Sequence, residues 1–169
     1  MINKIVDDIN IALQNGAYLS ALSLALTLPD VCGKAEYPTE RSTKRRYIDW
    51  YNTHIGQYET DGQTDCPYLS GEVVYSLRNS FLHQATPNIN KDNITNEQNK
   101  IDHFVLVIEP TNSFDIYADL SCSEENGPKE YHVNVQRLCF ILKQTAQKYF
   151  QNNKSKFNFL DFEIRYQNT

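Results

Sequence analysis

Residues 70–84 read SGEVVYSLRNSFLHQ, a segment that combines helix-start residues with apolar residues at helical spacing. Ser70 is a favourable N-cap, and Glu72 places a carboxylate near the positive end of a helix dipole. Three apolar side chains share one side of such a helix at about 100° per residue: Val74, Leu77 and Phe81. The pattern therefore predicts an amphipathic helix that runs from Ser70 to about Gln84 and packs its apolar side inward.

The opposite side of this predicted helix carries a polar stripe that contains Asn79 and His83. These two residues are one helical turn apart, so their side chains are expected to touch. Arg78 lies beside the stripe, and its long stem lets the guanidinium swing round to join them. The sequence thus predicts that a cation, an amide and an imidazole converge on one spot.

These three groups suit the cleavage of RNA. A guanidinium matches phosphate oxygens with two parallel hydrogen bonds, and an imidazole that titrates near neutral pH can remove a proton from a ribose hydroxyl. The 2′-hydroxyl, deprotonated by His83, would attack the adjacent phosphorus while Arg78 stabilises the growing charge, which leaves a 2′,3′-cyclic phosphate. This reaction requires no metal, and DNA is spared because it lacks the hydroxyl.

The segment Arg78-Asn79-Ser-Phe-Leu-His83 resembles the signature of the HEPN domains, which is Arg, four to six residues, then His, with a polar residue commonly after the Arg. HEPN domains are helical proteins of prokaryotic toxin and antiviral systems, and their active members are metal-independent ribonucleases. The resemblance covers roughly residues 1–84. It implies a HEPN-like helical bundle, an RNA substrate, catalytic roles for Arg78, Asn79 and His83, a homodimer with facing motif helices, and neutralisation by a protein antitoxin.

The sequence before the motif predicts three further helices. Apolar residues repeat at helical spacing from Ile2 to Leu13, and Asn15-Gly16 is a stop signal. A second helix is expected from Ala17 to Gly33, interrupted or kinked at Pro29. A third begins at Thr39-Glu40 and continues to Ile55. With the motif helix these segments form a predicted bundle over residues 1–86.

The sequence after the motif is different in character. Residues 87–100 are rich in asparagine and charge, which predicts a long, mobile polar loop. Over 101–169 we first expect a β-hairpin, with strands at 104–109 and 114–120 and turn residues at 110–112. A candidate third strand at 130–135 follows, then a long helix capped by Asn134 and a closing strand at 157–166. The predicted fold class is one mainly α domain over 1–169, with about five helices and a small appended antiparallel β element.

The net charge of -5 and the pI near 5.3 argue against a protein that coats nucleic acid through its overall field, so any RNA contact must be local. One basic cluster precedes aromatic residues in the third predicted helix: Arg41, Lys44, Arg45 and Arg46. These side chains are candidates for contact with an RNA backbone. The alternative is an ordinary solvated helix face.

Other classes of site find little support. The four cysteines, at 32, 66, 122 and 139, stand far apart without a C-x-x-C pair, which predicts reduced and mostly packed thiols. The remaining histidines, at 54, 103 and 132, lack metal-ligand spacing, and nucleotide-loop and esterase motifs are missing. We therefore expect no metal and no cofactor. The chain also lacks an apolar run of roughly 18 residues and a secretory start, which predicts a soluble cytoplasmic protein without membrane contact.

Three functional hypotheses follow. The first is a HEPN-type endoribonuclease of a defence or toxin–antitoxin system. The second is a catalytically inactive HEPN-type module for protein interaction or RNA binding. The third is a small interaction protein in which the motif is accidental and Arg78 pairs with Glu72 or a neighbouring helix. The segment 101–169 is expected to mediate contacts with a partner or a second copy, because its strands present edges that need covering and a minimal HEPN bundle does not need it for its chemistry.

Overall fold

The computed structural model describes residues 1–59, 68–84, 86–109, 118–122 and 128–160, together with Arg165; for 118–122 it describes the backbone alone. These residues form a mainly helical protein with a small sheet. The elements in chain order are α1 (Ile2–Gln14), α2 (Tyr18–Ala25), α3 (Leu28–Glu36), α4 (Thr43–His54), α5 (Gly71–Asn79), β1 (His103–Val107), β2 (Ala118–Cys122), β3 (Lys129–Asn134) and α6 (Val135–Asn152). Within these ranges, every helix is too short or too polar to cross a membrane.

The first helix ends as its sequence predicts, since Gly16 follows it with a φ of 70° that glycine adopts without strain. The second predicted helix is instead two helices, α2 and α3, with Thr27 as the N-cap of α3. Pro29 lies in the first turn of α3, where its missing N–H would have no helical partner. It therefore begins a new helix rather than kinking an old one, and Gly33 lies inside α3 instead of ending it.

The start of α4 also differs from the prediction by a few residues. Ser42, not Thr39, is the N-cap, and its hydroxyl accepts a hydrogen bond from the Arg45 amide at 3.2 Å. The cap of α5 is as predicted, because the Ser70 hydroxyl accepts from the Val73 amide. After Asn79 the chain continues as a π-helical turn over Ser80–Gln84, so the motif segment is helical to Gln84 but changes its winding.

One hydrophobic core joins the two halves of the chain. The long helix α6 packs against α1, α2 and α3, and its Asn134 cap accepts from the Arg137 amide at 2.9 Å as predicted. Trp50 and Tyr51 of α4 are fully buried in the same core as Leu138 and Leu142 of α6. The helix that follows the sheet is therefore an integral part of the bundle that holds the motif.

Gly33 sets the distance between α3 and α4. A Cβ placed on Gly33 would lie 2.6 Å from the carbonyl oxygen of Arg46, which is closer than any side chain tolerates. Only glycine permits this approach. It holds the side chains of α3 that flank Gly33 beside those of α4, next to the end of α5.

The sheet has the strand order β1-β3-β2. β1 runs parallel to β3, with His103 opposite Glu130, and β2 runs antiparallel to the other edge of β3. The predicted antiparallel hairpin between the first two strands is therefore wrong: they do not pair, and the turn residues 110–112 lie outside the described ranges. The central position goes to β3, whose Tyr131 and Val133 are buried and which can bond on both edges.

Two further predictions are corrected. Phe157, where the closing strand was expected to begin, is instead the last residue of a 3-10 helix (Lys154–Phe157), and 158–160 are turn or irregular. Within 161–166 the structure describes only Arg165. The polar loop 87–100 is anchored rather than free, because Ile94 and Asn99 are buried. Glu72 also accepts hydrogen bonds from the amide and hydroxyl of Thr95, at 2.7 and 2.8 Å.

Candidate functional site

Arg78, in the last turn of α5, is the centre of the site. Its Nε and Nη2 atoms both donate to Asp30 Oδ2, at 3.1 and 3.0 Å. Its Nη1 atom lies 2.9 Å from Asn79 Oδ1 and 2.7 Å from His83 Nε2. The structure thus brings together the three residues singled out from the sequence, and adds Asp30 as a fourth.

The π-helical turn explains how Arg78 reaches His83. Five residues in an α-helix correspond to a rotation of roughly 140°, which would point the two side chains apart. A π-helix closes its hydrogen bonds between residues five apart, and so returns the chain to the same side at that spacing. Asn79 and His83 were expected to touch each other, whereas the described contacts link each of them to Arg78 Nη1.

The contact between Arg78 and His83 fixes the roles of the ring nitrogens. Arginine has only donors, so His83 Nε2 must accept in this contact and Nδ1 carries the ring hydrogen. The lone pair that could remove a proton therefore points at Nη1. It becomes available to a substrate only when Nη1 turns to another acceptor.

Asp30 lies in the first turn of α3 and orients the guanidinium from the far side. The two side chains are largely buried, with 18% of Arg78 and 19% of Asp30 exposed. Burial raises the pKa of Asp30, and the charge and hydrogen bonds of Arg78 oppose that rise. Of the two ion pairs considered for Arg78, the one with a neighbouring helix is observed, and Glu72 instead holds Thr95.

The Arg78 guanidinium also contacts an aromatic ring. The guanidinium carbon lies 5.9 Å from the centre of the Tyr75 ring, and Tyr75 packs edge-to-face against Tyr47 with ring centres 5.2 Å apart. Such a contact favours a cation over the ring face. Tyr47 is fully buried, which raises the pKa of its hydroxyl well above the ordinary value.

A cleft of about 460 Å³ opens on the Asp30 side of Arg78. The side chains lining it are Asp30, Val31, Lys34, Thr43, Arg46, Arg78, Phe159 and Leu160. Lys34 places its ammonium 4.4 Å from the centre of the Phe159 ring. Sequence reasoning missed Asp30 and Lys34, although their spacing of four residues puts them on one helix face and could have drawn attention to α3.

The four basic residues predicted to bind RNA do not form one surface. Only Arg46 reaches the cleft, where its guanidinium donates to the Glu40 carbonyl at 2.8 Å and to Thr43 Oγ1 at 3.3 Å. Arg45 lies between Glu40 and Asp49, at 3.7 and 3.8 Å. Lys44 contacts the carbonyl of residue 93 at 3.4 Å, and Arg41 is exposed. Of the four candidates, Arg46 thus lies beside Arg78, while Lys44 and Arg45 line a separate groove; their contact with RNA stays a prediction.

The cysteines and the other histidines lie elsewhere. Cys32 and Cys139 are buried free thiols, and burial raises the pKa of Cys139 to about 12. Cys66 lies outside the described residues, as does the side chain of Cys122. The His54 ring packs at a tilt against Trp50 and edge-to-face against Tyr149. His103 and His132 contact the Glu130 carboxylate at 2.7 and 3.2 Å.

The chain has no significant match to a protein-family model, to a curated protein or to a solved structure.

Proposed function

We propose that the protein is a HEPN-type, metal-independent endoribonuclease of a prokaryotic defence or toxin–antitoxin system that acts in the cytoplasm. The observation that supports this most is the 2.7 Å contact between Arg78 Nη1 and His83 Nε2, with the same guanidinium held by Asp30. A cation for a phosphate and a base for a hydroxyl are thereby placed within one contact of each other. His83 is exposed, so a substrate can reach the pair.

The proposed reaction begins when a non-bridging phosphate oxygen of RNA replaces His83 as the acceptor for Arg78 Nη1. This releases the lone pair of His83 Nε2, which takes the proton from the 2′-hydroxyl. The 2′-oxygen then bonds to phosphorus and the bond from phosphorus to the 5′-oxygen breaks, giving a 2′,3′-cyclic phosphate and a 5′-hydroxyl. Arg78 stabilises the charge on the phosphorane oxygens, and Asn79 holds Nη1 in place.

The leaving 5′-oxygen needs a proton from an acid, and one motif offers one imidazole. We therefore place two motif helices face to face across the two-fold axis of a homodimer, where the second copy's histidine is that acid. An apolar cleft of about 320 Å³ lies beside the motif helix and includes Leu77, Phe81 and Leu19, whose side chain is 54% exposed. A second copy would cover this apolar surface. A protein antitoxin is the further partner that the HEPN assignment implies.

The second candidate function is a catalytically inactive HEPN-type module that binds RNA or protein. The observation in its favour is that every nitrogen of the Arg78 guanidinium already has a partner, including the nitrogen of His83 that would act as base. In this case the cluster is a structural latch between α3 and α5.

Incubation of the purified protein with single-stranded and structured RNA, with and without a chelator, separates the two functions. If the protein is an endoribonuclease, it should cleave both kinds of RNA in the presence of chelator and leave DNA of the same sequence intact. The Arg78→Ala and His83→Ala variants should not cleave RNA. His132→Ala is the matched control, because His132 contacts Glu130 on the sheet. This variant should cleave RNA as the wild type does. Binding of RNA without cleavage by folded wild-type protein would support the inactive module.

A further inference from the structure

The cleft beside Arg78 is electropositive on an acidic protein. Among the residues that the structure describes, three cations line it, Lys34, Arg46 and Arg78, against one carboxylate, that of Asp30. The chain as a whole has a net charge of -5. A local excess of positive charge within a concave surface concentrates anions there, whatever the overall charge.

The cleft also retains hydrogen-bond donors. Each Nη atom of Arg46 carries two N–H groups, and the described contacts use one on the Glu40 carbonyl and one on Thr43. The Lys34 ammonium faces the Phe159 ring and has no hydrogen-bond acceptor among the described residues. Uncommitted donors beside excess positive charge are the features of a phosphate site.

Part of the cleft wall is apolar. Val31, Phe159 and Leu160 form it, and the cleft volume of about 460 Å³ lies within the range of small-molecule sites. A phosphate alone would not require such a wall. A nucleotide uses both halves, since its sugar and base can pack on an aromatic ring while its phosphate meets the cations.

Arg78 connects this cleft to the proposed reaction site. Its Nη1 atom points to His83, whereas Nε and Nη2 point to Asp30 at the cleft. A nucleic acid whose scissile phosphate lies at Nη1 therefore has its neighbouring nucleotide at the cleft.

We propose that the cleft is a subsite for the nucleotide next to the scissile phosphate, with its phosphate on Lys34 and Arg46 and its base or ribose against Phe159. The identity of this nucleotide as part of a cleaved RNA rests on the proposed function. Occupation of the cleft by a nucleotide does not, because it depends on charge and shape alone.

The test measures binding without cleavage. The probes are fully 2′-O-methylated oligoadenylates and oligouridylates, which lack the attacking hydroxyl, each as a dinucleoside monophosphate and as a tetranucleotide. Wild-type protein is expected to bind the tetranucleotides about tenfold more tightly, with an affinity that rises more steeply as salt falls, because one of their two additional phosphates can occupy the cleft. Lys34→Gln and Phe159→Ala should remove this advantage, and Lys34→Arg should keep it.

Lys148→Gln is the matched control, since this exposed lysine on α6 lines a different groove. Equal affinities of wild type and Lys34→Gln for the tetranucleotides, with equal salt dependence, would overturn the subsite, as would a lack of binding by wild type. Binding that depends on Lys34 in a protein that does not cleave RNA would support the subsite and refute the endoribonuclease. Cleavage with no dependence on Lys34 would do the reverse.

Discussion

Asp30 and Arg78 are 48 residues apart in the sequence, yet one oxygen of Asp30 accepts hydrogen bonds from two nitrogens of the Arg78 guanidinium, at 3.1 and 3.0 Å. This arrangement fixes the plane of the guanidinium and leaves Nη1 directed at Asn79 and His83. Asp30 thus positions the cation of the site without facing the imidazole itself. It also couples α3 to α5.

Asp30→Asn should therefore weaken both stability and activity. The substitution keeps the shape but leaves the largely buried Arg78 without its counter-charge, which we expect to cost about 1–3 kcal/mol of unfolding free energy. Urea unfolding measures this loss, and RNA cleavage should fall at least about tenfold because Nη1 is no longer held in place. Asp49→Asn is the control, since its pair with Arg45 is exposed and should contribute less than about 0.5 kcal/mol. Equal losses in the two variants would contradict the positioning role.

Glu59 gives a prediction for pH. Burial raises the pKa of Glu59 to about 7, although the charge of Arg137 opposes the rise. A carboxyl whose pKa is higher in the folded than in the unfolded protein stabilises the fold fully below pH 4.5, and this contribution is lost as pH rises through about 7. Because Glu59 is only partly buried, solvent screening reduces the effect of this shift, and Glu59→Gln should be more stable than wild type at pH 8 by about 1–2 kcal/mol and nearly equal to it near pH 4.5. Urea unfolding at both pH values is the measurement, and a constant difference would refute the assignment.

Gly33→Ala tests the close approach of α3 and α4. The added Cβ would meet the Arg46 carbonyl oxygen at 2.6 Å, so the helices must separate at a cost of about 1–3 kcal/mol. Because Asp30 and Lys34 flank this glycine, the separation should also reduce activity. Gly16→Asn serves as the control: its φ of 70° is one that asparagine tolerates, so thermal unfolding should change little and RNA cleavage should not change.

The composite site predicts a dimer whose two motifs depend on each other. The mass in solution should be about twice 19.6 kDa. Excess Arg78→Ala protein, allowed to exchange subunits with wild type, should lower the activity of the wild-type chains, because each cleavage uses groups from both copies. A fully active monomer, or activity untouched by exchange, would defeat the composite site.

Sequence periodicity predicted what local interactions determine. The helices α1 and α6 follow from the spacing of apolar residues along the chain, and the caps at Ser70 and Asn134 follow from the residue type at each helix start. The order of the strands does not, because pairing across β3 depends on which strand the core buries. Asp30 was missed because it pairs with a residue 48 positions away, and such a pair produces no periodic pattern in the sequence.

The π-helical turn is a different kind of omission. At 100° per residue, an α-helix would place Asn79 and His83 in direct contact. A winding change after Asn79 moves His83 towards Arg78 instead. The residue types in Ser80–Gln84 do not predict such a change in winding. Single π-helical turns are frequent at functional sites.

The chemical nature of the RNA product ends tests the proposed cleavage reaction. The substrate is an RNA of defined sequence, digested in excess chelator, with mass spectrometry of the fragments and a second substrate that carries one 2′-deoxy nucleotide at the mapped cleavage position. Attack by the 2′-hydroxyl with His83 as base should give 2′,3′-cyclic phosphate and 5′-hydroxyl ends, no cleavage at the deoxy position, and no products from His83→Ala. Fragments with 5′-phosphate ends, cleavage that persists at the deoxy position, or undiminished products from folded His83→Ala would contradict it.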